Sequence, residues 1–258
     1  MNTETRNRTG LLIDVGNTHT HIGWFAGEQW LGFADIHTKP IQQGELTELQ
    51  EHCNSYPKPD WAALCSVVPE ASKVMETWLS RCKMPQGYRI LNSRNVVGIG
   101  IDYPAPETIG ADRIANSMAA ARLHGAPVVV VDFGTAVTFD VVDQKRNYVG
   151  GIITPGLSVM TEYLHEKTAL LPRIELRDPG KVIGKSTTEA IQVGAVHGYR
   201  GMIDALIVHL KTALDVQTLP VVATGGYARL IAGDLDSIND IRPNLTLEGL
   251  LLLTPGDA

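Results

Sequence analysis

Two short apolar runs in this chain end in the same punctuation. Leu11-Leu12-Ile13 leads into Asp14-Val15-Gly16-Asn17-Thr18-His19-Thr20, and Val129-Val130-Val131 leads into Asp132-Phe133-Gly134-Thr135-Ala136-Val137-Thr138. After each Asp-x-Gly a β-rich run resumes: Thr-His-Thr-His-Ile-Gly-Trp-Phe over 18–25, and Val-Thr-Phe-Asp-Val-Val over 137–142. A buried run, a turn and a second run predict a β-hairpin in each copy. Asp, Gly and the last Thr recur at one offset, so the chain reads as two related halves. The boundary falls near Gly125-Ala126-Pro127. The expected division is a disordered lead-in over 1–10, one domain over 11–126 and a second over 127–258.

The remaining pattern is mixed α/β. A buried strand is expected over 62–68, with Pro69-Glu70 opening a helix. An alanine-rich helix is expected over 111–123, and spaced apolar residues predict a long amphipathic helix over 192–214. The run 219–224 predicts a strand that ends at Gly225-Gly226, with a helix starting near Tyr227. Pro104 and Pro106 make the stretch before residue 110 a loop.

Composition narrows the class. Hydrophobic residues are 44% and charged residues 19%, ordinary for a globular protein. A net charge of −6 argues against a broadly basic nucleic-acid surface, so no nucleic-acid partner is expected. Cys53, Cys65 and Cys82 form neither a CxxC pair nor metal-finger spacing, which suggests reduced thiols in a cytoplasm. No apolar run approaches the roughly 18 residues that span a bilayer, so no membrane association is expected. The polar N-terminus lacks the apolar centre of a signal peptide.

The Asp-x-Gly hairpin suits a nucleotide. Phosphate is bound by backbone N–H groups at close range, and Gly16 and Gly134 allow that approach. Asn17, Thr18, Thr135 and Thr138 add side-chain donors. An aspartate at the strand end can hold Mg²⁺ directly or through water. Two such hairpins facing across a cleft would grip a triphosphate from both sides. Gly225-Gly226 would let the backbone pass close to a flat ligand such as adenosine. Neither a Walker A pattern nor a GxGxxG fingerprint is present.

The most distinctive stretch is Asp102-Tyr103-Pro104-Ala105-Pro106-Glu107-Thr108-Ile109-Gly110-Ala111-Asp112-Arg113. Asp112 near a helix N-terminus would have its charged form favoured. Arg113 offers a planar fork of donors to an anionic or carbonyl-rich acceptor. A first-turn acid with its salt-bridge partner would explain the pair equally well. Farther on, Ser186, Thr187 and Thr188 precede a helix; capping is the expected role of Thr188, and a structural role is expected of His165.

These segments together resemble type III pantothenate kinases, of the acetate and sugar kinase/Hsc70/actin superfamily. The similarity is carried by DVGNTHT (14–20), YPAPETIGADR (103–113), VDFGTAVTFD (131–140), GGIITPGL (150–157), LHEKTALLP (164–172), IGKSTTEAIQVGAVHG (183–198) and ATGG (223–226). It implies an α/β fold of two ribonuclease H-like, actin-like ATPase domains, each a mixed sheet flanked by helices. It implies ATP-dependent phosphorylation of pantothenate to 4′-phosphopantothenate, the first step towards coenzyme A. Asp14, Val15, Gly16, Asn17, Thr18, His19, Thr20 and His21 match the ATP-phosphate loop, and Thr135 a second ATP contact. Asp112 matches the catalytic base. Tyr103, Gly110, Ala111, Asp112 and Arg113 match the pantothenate site, with Thr187 a further contact. Asp132 matches the ligand of a monovalent cation, K⁺ or NH₄⁺. Asp14, the aspartate at the end of the first strand, is the expected Mg²⁺ ligand, directly or through water. The family resemblance also implies a homodimer. The alternatives are a non-catalytic nucleotide-binding regulatory or accessory protein, and a kinase of the same superfamily acting on a sugar or a carboxylate.

Overall fold

The computed structural model describes residues 8–255. The expected lead-in over 1–10 lies mostly outside the described residues, and Thr9 and Gly10 already belong to the first strand. By contacts the chain divides into two compact units. One comprises residues up to 122 together with 245 onward, and the other residues 123–244.

The first unit opens with an antiparallel meander of β1 (Thr9–Val15), β2 (His19–Ala26) and β3 (Gln29–His37). Helices α1 (Thr38–Gln42) and α2 (Thr47–Asn54) follow. β4 (Trp61–Ser66) pairs parallel with β1, and after α3 (Pro69–Arg81) β5 (Tyr88–Ile90) pairs parallel with β4. Pro69 sits in the first turn of α3, where its missing N–H leaves no helical bond unmade. The short strand β6 (Gly100–Ile101) leads to the proline loop, which contains a single 3₁₀ turn over Pro106–Thr108, and then to α4 (Ala111–His124). The sheet order is β3-β2-β1-β4-β5. β1 is central and buried throughout, which is why its sequence is apolar without alternation. β2 alternates instead: Thr20, Ile22 and Trp24 are buried, whereas His19 and His21 are turned outward.

In the second unit β7 (Val128–Phe133), β8 (Ala136–Val142) and β9 (Asn147–Pro155) form another antiparallel meander. Helix α5 (Leu157–Lys167), an extended segment and the long α6 (Thr187–Ala213) follow. β10 (Val221–Thr224), α7 (Ala228–Ala232) and β11 (Asp240–Ile241) complete the unit, with β10 parallel to β7 and β11 parallel to β10. These strands lie in the order β11-β10-β7-β8-β9, the same order as β5-β4-β1-β2-β3. The internal repeat is therefore present as topology. Val131, Phe133, Phe139, Val196, Tyr199 and Ile203 share the core of this unit.

Two details depart from the sequence expectation. The last helix, α8 (Leu245–Leu251), belongs to the first unit rather than to a domain over 127–258. It packs on β1, β2 and β4 with Leu245, Leu247 and Leu250 buried. Thr246 Oγ1 donates to Asn116 Oδ1 of α4 at 2.8 Å, and Gly249 lies directly on the Ala115 backbone. The hairpins also differ by one residue. The last pair of the first is Val15↔Thr20, enclosing 16–19; the last pair of the second is Phe133↔Val137, enclosing 134–136. Asp14 is thus opposite His21, and Asp132 opposite Thr138. The matching threonines at 20 and 138 are not structurally equivalent.

Candidate active site

In the first unit Asp14 is buried near the C-terminal end of β1, opposite His21 of β2 and Cys65 of β4. The Cys65 thiol donates to Asp14 Oδ1 at 3.2 Å. The turn that follows is closed by the Gly16 N–H donating to the His19 carbonyl at 3.0 Å. Asn17 and Thr18 are exposed at its tip. Val15 and Thr20 are buried, so their side chains face away from any phosphate. The Thr20 hydroxyl lies 2.9 Å from that of Thr38. The His19 ring lies against His37, with centroids 4.8 Å apart, and His21 Nδ1 is 3.6 Å from Asp35 Oδ1. Burial pushes the His21 imidazole below its ordinary pKa; Asp35 opposes the shift and His19 adds to it.

Asp112 is the second residue of α4. The expectation was a first-turn acid whose charged form is favoured. Burial instead raises its pKa, against the opposing effects of the Arg113 amide and then its guanidinium. Asp112 Oδ1 accepts the Arg113 N–H at 2.8 Å. Gly110 makes room for this arrangement, since a Cβ there would lie 2.5 Å from Asp112 Oδ1. The thiol of Cys65 is pushed well above its usual range by burial, then by Asp14, then by Asp112. Both carboxylates therefore act on one buried group. Ala111 and Arg113 are half-buried and Tyr103 is exposed.

The second unit carries the other turn. Asp132 and Thr224 are paired at the ends of β7 and β10, and Gly225 follows with φ +90°. That conformation favours glycine, and a Cβ would come within 2.4 Å of Asp132 Oδ1. Gly134 N–H donates to Ala136 O at 3.1 Å, and Gly156 N–H to Thr135 O at 3.0 Å. Thr135 is exposed at the tip of this turn, and Thr187 is exposed at the start of α6. The cap of α6 is Ser186, not Thr188: its Oγ accepts the Glu189 N–H at 3.2 Å. Glu189 in turn accepts the Lys185 N–H at 2.7 Å and the Lys181 ammonium at 2.8 Å. His165 Nδ1 lies 2.8 Å from Leu171 O.

Among the described residues no three His, Cys, Asp or Glu side chains gather as a metal site. Mg²⁺ on a nucleotide takes one or two carboxylates and completes its shell with water and phosphate oxygens. Asp14 has the hard oxygens for it. Among the described residues no helix is long and apolar enough to cross a membrane.

A family model described as type III pantothenate kinase matches residues 10–209. This chain belongs to the type III pantothenate kinase family. A type III pantothenate kinase from Methylacidiphilum infernorum is 47% identical over 246 residues, covering 94% of this chain and 87% of its own. One from Akkermansia muciniphila is 44% identical over 242 residues, covering 94% and 96%. Among solved structures, a Campylobacter jejuni protein described as a Baf family transcriptional activator superposes with TM-score 0.59. It is 18% identical and covers 93% of this chain and 95% of its own. A Sinorhizobium meliloti protein described as a 2-dehydro-3-deoxygalactonokinase superposes with TM-score 0.58 at 13% identity, covering 94% of each chain. At such identities these two likenesses establish the fold alone, an actin-like and sugar-kinase-like architecture.

Sequence reasoning missed Cys65 and Gly156 as supports of the two turns. It singled out Gly225 for a flat ligand, not as the neighbour of Asp132. The register that sets Cys65 beside Asp14 is a property of strand pairing and has no sequence signature.

Proposed function

We propose that Asp112, Arg113 and the two glycine turns carry out, in this chain, the phosphorylation of pantothenate at the expense of ATP. The products are 4′-phosphopantothenate and ADP, and the step opens coenzyme A synthesis. Asp112 accepts the proton of the primary hydroxyl of pantothenate. Its raised pKa makes it a stronger base than an exposed aspartate, and the loose transition state of phosphoryl transfer needs little early deprotonation. Arg113 directs its guanidinium to the carboxylate or amide carbonyl of pantothenate, with Tyr103 and Thr187 as further contacts. The backbone amides of 16–19 and the hydroxyl of Thr135 bind ATP phosphates, so alignment and charge neutralisation supply most of the acceleration. Asp14 would hold Mg²⁺, directly or through water, and that ion would supply positive charge at the phosphates.

Three finer assignments rest on family resemblance: a monovalent cation at Asp132, a homodimer, and a cytoplasmic location. The carboxylate of Asp132, set against the Gly225 backbone, supplies the hard oxygen that K⁺ or NH₄⁺ requires.

The observation that carries the proposal is Asp112, half-buried at the start of α4 with its pKa raised, in its Gly-Ala-Asp-Arg setting within a chain of this family. The test is an acceptor panel of pantothenate, a hexose and acetate with ATP and Mg²⁺. Phosphorylated product from pantothenate alone supports the proposal, and product from a hexose or acetate instead refutes it.

A further inference from the structure

Thr38 stands outside every motif discussed above, at the junction of β3 and α1, and it is fully buried. Three polar contacts tie it to the turn that follows β1 and to the start of β2. Its hydroxyl donates to the Gly16 carbonyl at 2.8 Å. Its own N–H donates to the Thr18 carbonyl at 3.0 Å. Because its hydroxyl proton is committed to Gly16, the Thr20 hydroxyl at 2.9 Å is the donor in the remaining contact. The result is a buried relay from Thr20 through Thr38 to Gly16.

The consequence follows from peptide geometry. The peptides of the turn are trans, so each carbonyl and the N–H of the next residue point in opposite directions. With the Gly16 carbonyl drawn to Thr38, the Asn17 N–H is turned away from it. With the Thr18 carbonyl drawn to the Thr38 amide, the His19 N–H is turned away as well. We infer that Thr38 is a positioning residue for nucleotide phosphates, a buried clasp that holds two carbonyls back so that the Asn17 and His19 amides face the anion. An unclasped Gly16 peptide could rotate and present its carbonyl oxygen, which would repel phosphate. This inference rests on the reading of residues 16–19 as the phosphate turn, and it explains why the Thr20 side chain is committed inward.

The test compares Thr38→Val, which removes the hydroxyl in nearly the same volume, with Thr38→Ser, which keeps it. Steady-state kinetics are measured with each substrate varied in turn. Thr38→Val raises KM for ATP about 10-fold or more and leaves KM for pantothenate unchanged, and Thr38→Ser restores the ATP value. Should Thr38→Val fail to fold, Thr38→Ala removes the hydroxyl without adding bulk and serves in its place, again read against Thr38→Ser. Gly16→Ala separates the two levels of the argument, because its Cβ would lie 2.9 Å from the His19 carbonyl and distort the turn itself. If Gly16→Ala weakens ATP binding and Thr38→Val does not, the clasp is overturned while the turn assignment stands. If neither affects ATP, the turn assignment fails. Equal changes in both KM values, not restored by serine, would show that Thr38 only stabilises the fold and would overturn the inference.

Discussion

The thiol of Cys65 donates to Oδ1 of Asp14 from the neighbouring parallel strand, 3.2 Å away and fully buried. Its deprotonation is opposed by burial and by two carboxylates, Asp14 and Asp112. Cys65 is thus a proton-bearing spacer beside the acids of the candidate active site, with no nucleophilic role.

The three thiols should differ sharply in reactivity, since the thiolate is the attacking form. Burial pushes Cys53 up to about 12, with Cys82 adding to the shift. Cys82 is exposed and its pKa is raised by partial burial. In the native protein a thiol reagent at pH 8 should modify Cys82 first, Cys53 much more slowly, and Cys65 only on unfolding. The check is stopped-flow labelling followed by peptide mass analysis. Rapid native labelling of Cys65 would contradict its placement.

Asp112→Asn should lower kcat by about 100-fold or more, the usual range for loss of a general base, with KM for ATP little changed. Asparagine retains the oxygen that accepts the Arg113 N–H, so the helix start should survive. Near-normal turnover in this variant would remove Asp112 from its assigned role.

The same substitution should stabilise the protein at neutral pH. The Asp112 pKa is raised in the folded state above its unfolded value of about 3.9, so the folded form binds more protons between those two values. Stability from this group is therefore present below the unfolded value and is lost as pH rises through the folded one. Asn carries no such loss. Thermal unfolding of the two proteins should give the larger Tm advantage of Asp112→Asn above the folded pKa, and the smallest below about pH 3.9. A difference independent of pH would contradict the burial argument.

Both hairpins were legible in sequence because an apolar run, Asp-x-Gly and a second run are local signals. The one-residue difference in register was not, since the ungapped match of Thr20 with Thr138 overrides a loop length that only pairing reveals. The raised pKa of Asp112 was illegible for a similar reason: helix-terminus electrostatics are local, whereas desolvation comes from the surrounding fold. Nothing local in Leu245 to Leu251 sends that helix back to β1. Ser186 and Thr188 are both good caps, and the choice depends on which residue takes an extended backbone conformation, here Ser186.

Gly225→Ala should lower stability by more than about 1 kcal/mol, because the residue has φ +90° and no room for a Cβ. In a chain of this size that corresponds to a fall in Tm of at least about 2–4 °C. The displaced Asp132 carboxylate should also blunt any rate difference between potassium and sodium buffers. An unchanged Tm would show that the Asp132–Gly225 contact is looser than described.

The most direct test is coupled ADP release from Mg-ATP with pantothenate as the only variable. Release should saturate with pantothenate, match the phosphopantothenate formed one for one, and fall to background when pantothenate is omitted. ADP released at the same rate without pantothenate, or with no phosphorylated pantothenate beside it, would contradict the assignment.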